Sequence, residues 1–468
     1  MEKSRSGLSR AAGWMRTTVG ATVTHPLTPV AILGLLIRLA LAPFTSWTWD
    51  MVPSYMAGMD MLSGASPYHS MFYSYPPAWA YTFAPPIYLL SVFVSPADMG
   101  AFIPSLVPVS RLTQLVNPIV TTPAFNLAVK SPLILADLAM GLLISRIVRE
   151  MVGLPAAKRA FAIWFLNPLV ILAGSVNGQF DVFPSLFVLF SIYFLHKGEF
   201  LLGGGSLALS MGYKLYAIYL LPVYLVPLLA VTLRGPRSAW QRTPIVRFGI
   251  GVLAVALMFA VFFPWDTGVT AVFRRVSTPS YGGFTPFLLA SNFDVAALGA
   301  IVSLASIGAT LVGTSWLGWR ALRPSPSTLD PFRIPGLAAT NVVGLFLIFT
   351  FSPLVNPQYL LWILPAMIIL FFHDRASRWF VDGLSLLGCL FIFSLAGPLV
   401  VFYPLSVWTG VLATPVINES VAAYWGVPGP FGGFLWTYFV STISWIGYLF
   451  LLLRAKSAFA IVRGRSGA

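Results

Sequence analysis

Two carboxylates, Asp50 and Asp60, stand in a polar stretch at residues 47–77, WTWDMVPSYMAGMDMLSGASPYHSMFYSYPP, that directly follows a long apolar segment. The stretch also carries Tyr55, Tyr68, Tyr73 and Tyr75 and a small-residue turn, Gly64-Ala65-Ser66-Pro67. A carboxylate at the edge of a bilayer can take a proton from a hydroxyl, and a Lys or Arg beside it can hold an anionic phosphate. Asp50 lies next to Trp47 and Trp49, which suits proton transfer at headgroup depth and equally suits an interfacial acid in an aromatic belt. Asp60 reads either as a second functional acid or as a solvated loop residue.

The cations that could meet such an anion are few. Short basic clusters between apolar runs account for all but six of the 28 Lys and Arg residues, as the positive-inside pattern requires. The six are Arg38, Arg111, Lys130, Lys214, Arg274 and Arg275. A cation within a bilayer or on its outer side carries a desolvation cost and needs a partner. Arg38 is mid-helix in LLIRLAL and reads as a structural ion pair or a substrate contact. Lys214, in Gly212-Tyr213-Lys214-Leu215-Tyr216, reads as an anion contact or as a side chain snorkelling to the interface. Arg274-Arg275 precede Ser280-Tyr281-Gly282-Gly283-Phe284 and suggest anion binding. Asn177-Gly178-Gln179-Phe180-Asp181 joins turn freedom to hydrogen-bonding groups suited to a hydroxyl-rich ligand, or else caps the next helix. Asn356-Pro357-Gln358-Tyr359 invites the same two readings. The four histidines are scattered, so no metal cluster, hydrolase triad or nucleotide-binding fingerprint stands out.

The elements that position these residues follow from composition. The chain is 57% hydrophobic and 9% charged, with a mean hydropathy of +0.83. That excludes an ordinary soluble protein, and the lack of strand-period alternation excludes an outer-membrane barrel. The expected class is an all-α polytopic membrane protein, a single transmembrane domain over residues 1–468. We expect about twelve transmembrane helices, at 28–46, 131–148, 159–175, 182–196, 199–213, 215–233, 248–264, 296–318, 336–352, 358–372, 379–401 and 432–453, with both termini cytoplasmic. Charge bias allows residues 78–130, which contain Pro85-Pro86, either no crossing or two, and we expect none, with a re-entrant or interfacial outer segment. Residues 265–295 and 402–431 are the second and third outer loops. The net charge of +14 is dispersed among the basic clusters, so it argues for membrane topology and against nucleic acid. The basic start runs into a full-length apolar segment without a small-residue cleavage site. The single cysteine, Cys389, excludes an intramolecular disulfide.

Taken in order, Arg38, Asp50, Gly64-Ala65-Ser66-Pro67-Tyr68, Tyr73-Ser74-Tyr75-Pro76-Pro77, Lys130 with Asp137 in KSPLILAD, Asn167-Pro168, Asn177-Gly178-Gln179 with Asp181, Lys214-Leu215-Tyr216 and Gln358-Tyr359-Leu360-Leu361-Trp362 form a series. That series resembles polyprenyl-phosphate-sugar-dependent glycosyltransferases of the GT-C type, nearest to the GPI mannosyltransferase I-like and related prokaryotic mannosyltransferases. The resemblance implies inverting transfer of a hexose, most often mannose, from a polyprenyl- or dolichyl-phosphate donor to a glycan or lipid acceptor on the outer face. It implies that 47–77 is the catalytic outer loop and that Asp50 is the general base. Relatives often carry a D-x-D pair here, whereas this chain has Thr48 two residues before Asp50, so transfer without metal or other cofactor is expected. The stretch 95–129 is also longer than the family version.

Lys214, Arg274 and Arg275 are then the candidates for the donor phosphate. Arg38, Asp60, Tyr68, Tyr75, Lys130, Asp137, Gln179, Asp181, Gln358 and Tyr359 are candidates for substrate binding or structural support. The implied location is the plasma membrane, or the endoplasmic reticulum of a eukaryote. Two other classes stay open: a transporter or flippase of a lipid-linked or sugar substrate, and a non-catalytic subunit of a glycan-assembly complex. Against transport, the two halves show no matched pair of broken helices.

Overall fold

A computed structural model describes residues 26–69, 73–102, 119–234, 243–263, 265–277, 282–285, 299–321, 332–374, 378–413, 415–417 and 432–462. These form a helical membrane protein. Among the described residues five helices are long and apolar enough to cross a bilayer, or six if one bent pair counts as a single span. The helices are α1 (Thr28–Leu41), α2 (Thr48–Leu62), α3 (Ala78–Ser91), α4 (Pro123–Met151), α5 (Leu154–Phe165), α6 (Pro168–Val176), α7 (Val182–His196) and α8 (Phe200–Tyr213). After a tight turn of helix at Leu215–Leu220 come α9 (Leu221–Arg234), α10 (Pro244–Phe262), α11 (Trp265–Ser277) and α12 (Gly299–Ala321). The last four are α13 (Ile334–Phe351), α14 (Leu360–Asp374), α15 (Trp379–Thr409) and α16 (Gly432–Val462).

Several elements differ from the sequence-based expectation. Residues 47–77 are not simply a loop, because α2 fills their first half; α2 contains Pro53 and two acids, so hydropathy does not reveal it. The long helix expected from 131 begins eight residues earlier. Thr122 caps it by accepting a hydrogen bond from the Phe125 N–H, and Pro123 takes the first helical position. Lys130 therefore lies inside α4 and not at the end of an outer segment. The span expected over 159–175 breaks at Asn167-Pro168, where α5 and α6 meet at 41°. The Asn167 side chain caps α6, and the helix closes as a π-turn over Ile171–Val176. α1 ends at Leu41, α11 occupies the start of the expected second outer loop, and α15 runs on to Thr409.

Close helix packing relies on glycine. A Cβ on Gly204 of α8 would meet the Phe248 carbonyl at 2.0 Å, and one on Gly251 of α10 would meet the Leu201 carbonyl at 2.0 Å. The two backbones are thus in direct contact, the small-residue packing that apolar surroundings favour.

Candidate functional site

The segment leading into Asp50 is fixed by backbone contacts. The Lys130 Nζ donates to the carbonyls of Ala42 (3.0 Å), Thr45 (2.6 Å) and Val176 (2.9 Å). The Asn126 amide donates to the Pro43 carbonyl, and the Ser46 N–H donates to the Val400 carbonyl. α2 starts two residues after Ser46, so Asp50, in its first turn, stands on an anchored helix. Seven residues after Lys130, and so on the same face of α4, Asp137 pairs with Arg38 at 3.1 Å. Arg38 also donates to the Phe165 carbonyl at 2.7 Å and lies over the Phe165 ring.

Gly178 connects this layer to a second one. Its φ of +80° belongs to the left-handed region that favours glycine, and a Cβ there would meet the Met51 sulfur at 2.6 Å. The turn therefore lies flush against the helix that carries Asp50. Phe180 then stacks on Trp79, with ring centroids 4.9 Å apart, and meets Tyr75 edge-on. Asp181, fully buried, pairs with Lys214 at 2.7 Å and accepts a second hydrogen bond from the Trp362 indole at 2.7 Å. Trp362 is sandwiched between the rings of Tyr216 and Tyr359. The Lys214 ammonium sits 4.9 Å from the ring centres of both Phe180 and Tyr359. Among the described residues Asp181 is the one hydrogen-bond acceptor of its three N–H groups, which leaves donor capacity for a ligand.

Lys214, Tyr75, Tyr216, Tyr359 and Trp362 line one cavity of about 270 Å³. Its far wall is largely apolar, with Ile307 and Ile348, and includes Val272 of α11. Thr310 and Ser352 are polar points in the same lining. A cationic, aromatic end facing an apolar wall fits an amphiphile with an anionic head. The floor is braced by tyrosines. Tyr68 donates to the Tyr75 carbonyl at 2.7 Å, and Tyr73 donates to the Pro76 carbonyl while accepting from the Ala80 N–H. Burial pushes the Tyr73 phenol well above its usual range, so it remains a neutral donor.

The structure thus sorts the candidates. Tyr75, Lys214 and Tyr359 meet at the cavity, with Asp181 behind Lys214, Tyr68 behind Tyr75, and Gln179 in the buried turn. Arg38, Asp137 and Lys130 form a separate structural layer. Asp50 and Asp60 share α2 but lie ten residues apart, about 15 Å along the axis. Neither lines the cavity. Gln358 is half-buried in the turn before α14. Arg274 and Arg275 follow Val272 along α11, but their side chains, like Arg111, lie outside the described residues. Trp362 and Phe180 were not expected at the site, although both stand inside motifs that the sequence singles out. Among the described residues no three His, Cys, Asp or Glu side chains converge as metal ligands would.

Comparison with known proteins returns two kinds of match. A family model described as GPI transamidase subunit PIG-U matches residues 63–273. GPI mannosyltransferase 1 of Saccharomyces cerevisiae is 29% identical over 125 residues, covering 26% of this chain and 30% of that protein. GPI mannosyltransferase 1 of Dictyostelium discoideum is 28% identical over 209 residues, covering 42% of this chain and 39% of that protein. The chain therefore spans well under half the length of these curated relatives. The matches support the resemblance to GPI mannosyltransferase-like glycosyltransferases of the GT-C type. The PIG-U match includes Asp181 and Lys214 but begins after Asp50.

Proposed function

We propose that this chain is a multi-pass membrane glycosyltransferase that moves a hexose, with mannose the leading candidate, from a polyprenyl- or dolichyl-phosphate donor to a glycan or lipid acceptor. The reaction takes place at the outer face of the plasma membrane, or on the luminal side of the endoplasmic reticulum in a eukaryote. The observation that carries this reading is Lys214, held by Asp181 in an aromatic cage on the wall of a cavity whose far wall is largely apolar. The names of the relatives, GPI mannosyltransferase 1, support the sugar.

In this mechanism the acceptor hydroxyl attacks the anomeric carbon from the face opposite the phosphate. Asp50 takes the hydroxyl proton as the new C–O bond forms, the bond from the anomeric carbon to the phosphate oxygen breaks, and the configuration inverts. The lipid phosphate leaves with the bonding pair, and Lys214, with Arg274 and Arg275 of α11, stabilises its charge. The apolar wall holds the first isoprene units. The turn at Gly178, packed on Met51, sets the distance between the base helix and the phosphate end.

The test is transfer of labelled hexose from a polyprenyl-phosphate donor by the purified chain. We expect Asp50→Asn to lower transfer about a thousandfold with the helical fold retained, and EDTA to leave the rate unchanged. Full activity in Asp50→Asn removes the base. Substrate flux across vesicles without transfer points to a transporter. The PIG-U match favours a second reading, a non-catalytic subunit of a glycan-assembly complex, and donor binding without turnover in the wild-type chain would select it.

A further inference from the structure

A second and larger cavity, of about 780 Å³, opens at the other end of α14. Trp362, at the aromatic cage, and Phe371, in the second cavity, are nine residues apart on that helix, about 14 Å along its axis. The second cavity lies where α5 breaks away from α6, between that break and the start of α15. Its depth is apolar, walled by Ala162, Leu166 and Phe371. Its mouth carries Arg159, Arg378 and Asp382. Arg378 pairs with Asp382 at 2.8 Å through Nε, which leaves its terminal nitrogens to a further acceptor. The Arg159 side chain is exposed and has no ion pair or hydrogen bond among the described residues. The mouth therefore has one more positive than negative charge, and the rest of the lining is apolar apart from Asn167.

We propose that this cavity is a binding site for an anionic glycerophospholipid, whose phosphate lies between Arg159 and Arg378 and whose acyl chain enters the space beside Leu166 and Phe371. The chemistry of the walls selects this occupant. A soluble anion would use the two arginines and leave the apolar chamber empty, and a neutral lipid would fill the chamber and leave Arg159 without a counter-charge. Lysines and arginines near a membrane surface attract anionic headgroups, and basic pockets between membrane helices are where such lipids are held. The site does not depend on the transferase reading, because none of its residues touches the first cavity.

The test uses the full-length chain, purified in neutral detergent and stripped of lipid, then titrated with phosphatidylglycerol or phosphatidylcholine and read by native mass spectrometry. We expect phosphatidylglycerol to be retained preferentially, and Arg159→Glu to weaken that retention by at least about fivefold. Arg149→Glu, which changes an exposed residue of α4 outside the cavity by the same charge, should keep wild-type retention. Ala162→Trp should lower retention by filling the chamber without any change of charge. Circular dichroism and thermal melting establish that each variant is folded. Equal retention of the two lipids by the wild type, an equal effect of Arg149→Glu and Arg159→Glu, or full displacement of the lipid by inorganic phosphate would each overturn the proposal.

Discussion

Lys130 and Lys214 are the same residue type, both buried in an apolar chain and both read from the sequence as cations that need partners, yet their surroundings differ. Lys130 donates to three main-chain carbonyls from two separate segments, those before α2 and at the end of α6, and also to the Thr45 hydroxyl. Lys214 has one carboxylate, four aromatic rings within 6 Å and an open cavity. A cation whose donors are taken up by protein groups holds the fold together. A cation fixed at one donor and surrounded by ring faces keeps the others for a ligand. The difference lies in partner chemistry, since the degree of burial is nearly the same at both sites.

The largest effect should come from breaking the backbone-clasping member. Lys130→Met keeps much of the side-chain volume and leaves three buried carbonyls without this donor, each costing about 1–3 kcal/mol. We expect the variant to melt well below the wild type in detergent, with activity falling in proportion to the folded fraction. A Lys130→Met chain that melts normally yet binds no donor would place Lys130 at the substrate and dissolve the contrast.

How far this contrast was legible in the sequence depends on the kind of signal. The seven-residue spacing of Lys130 and Asp137 suits one helical face, but the helix expected from 131 left Lys130 outside it, and only the earlier start at Pro123 brings the two together. Thr122-Pro123 is a helix start by its chemistry, but the apolar core of the helix begins later, so hydropathy set the boundary too far along. α2 escaped notice because it is largely covered by protein and can carry Asp50, Pro53 and Asp60, while hydropathy reports mainly lipid-facing surface. Asp181 with Lys214, and Trp362 with Asp181, are contacts between residues 33 and 181 positions apart, and no periodicity encodes such pairings. Trp362 could have been promoted by one consideration, that a buried indole N–H needs an acceptor.

An intermediate effect is expected at Lys214. Lys214→Met alone strands Asp181 as a buried carboxylate, which costs about 3–5 kcal/mol, and so mixes folding with function. Asp181→Asn/Lys214→Met removes both charges and still offers Trp362 an acceptor. The double variant should recover the wild-type melting temperature and still show kcat/KM for donor transfer lowered about a hundredfold, with the acceptor KM unchanged. Recovery of activity along with stability would make Lys214 a second structural lysine.

The smallest effect should come from Arg38 and Asp137, which resemble the Asp181–Lys214 pair in charge and burial but line neither cavity. Asp137→Leu alone leaves a buried guanidinium and should destabilise by about 3–5 kcal/mol. Arg38→Met/Asp137→Leu replaces the pair with apolar groups of similar size, a change that is often close to neutral, though the Phe165 carbonyl loses its 2.7 Å donor. We therefore expect the double variant to melt within about 2 kcal/mol of the wild type and to transfer sugar at nearly the wild-type rate, measured with the same labelled donor. If it folds but transfers no sugar, an ion pair remote from the cavity controls turnover. A buried cation closed off by protein partners would then be as functional as one left open to a ligand, which is the distinction drawn between Lys130 and Lys214.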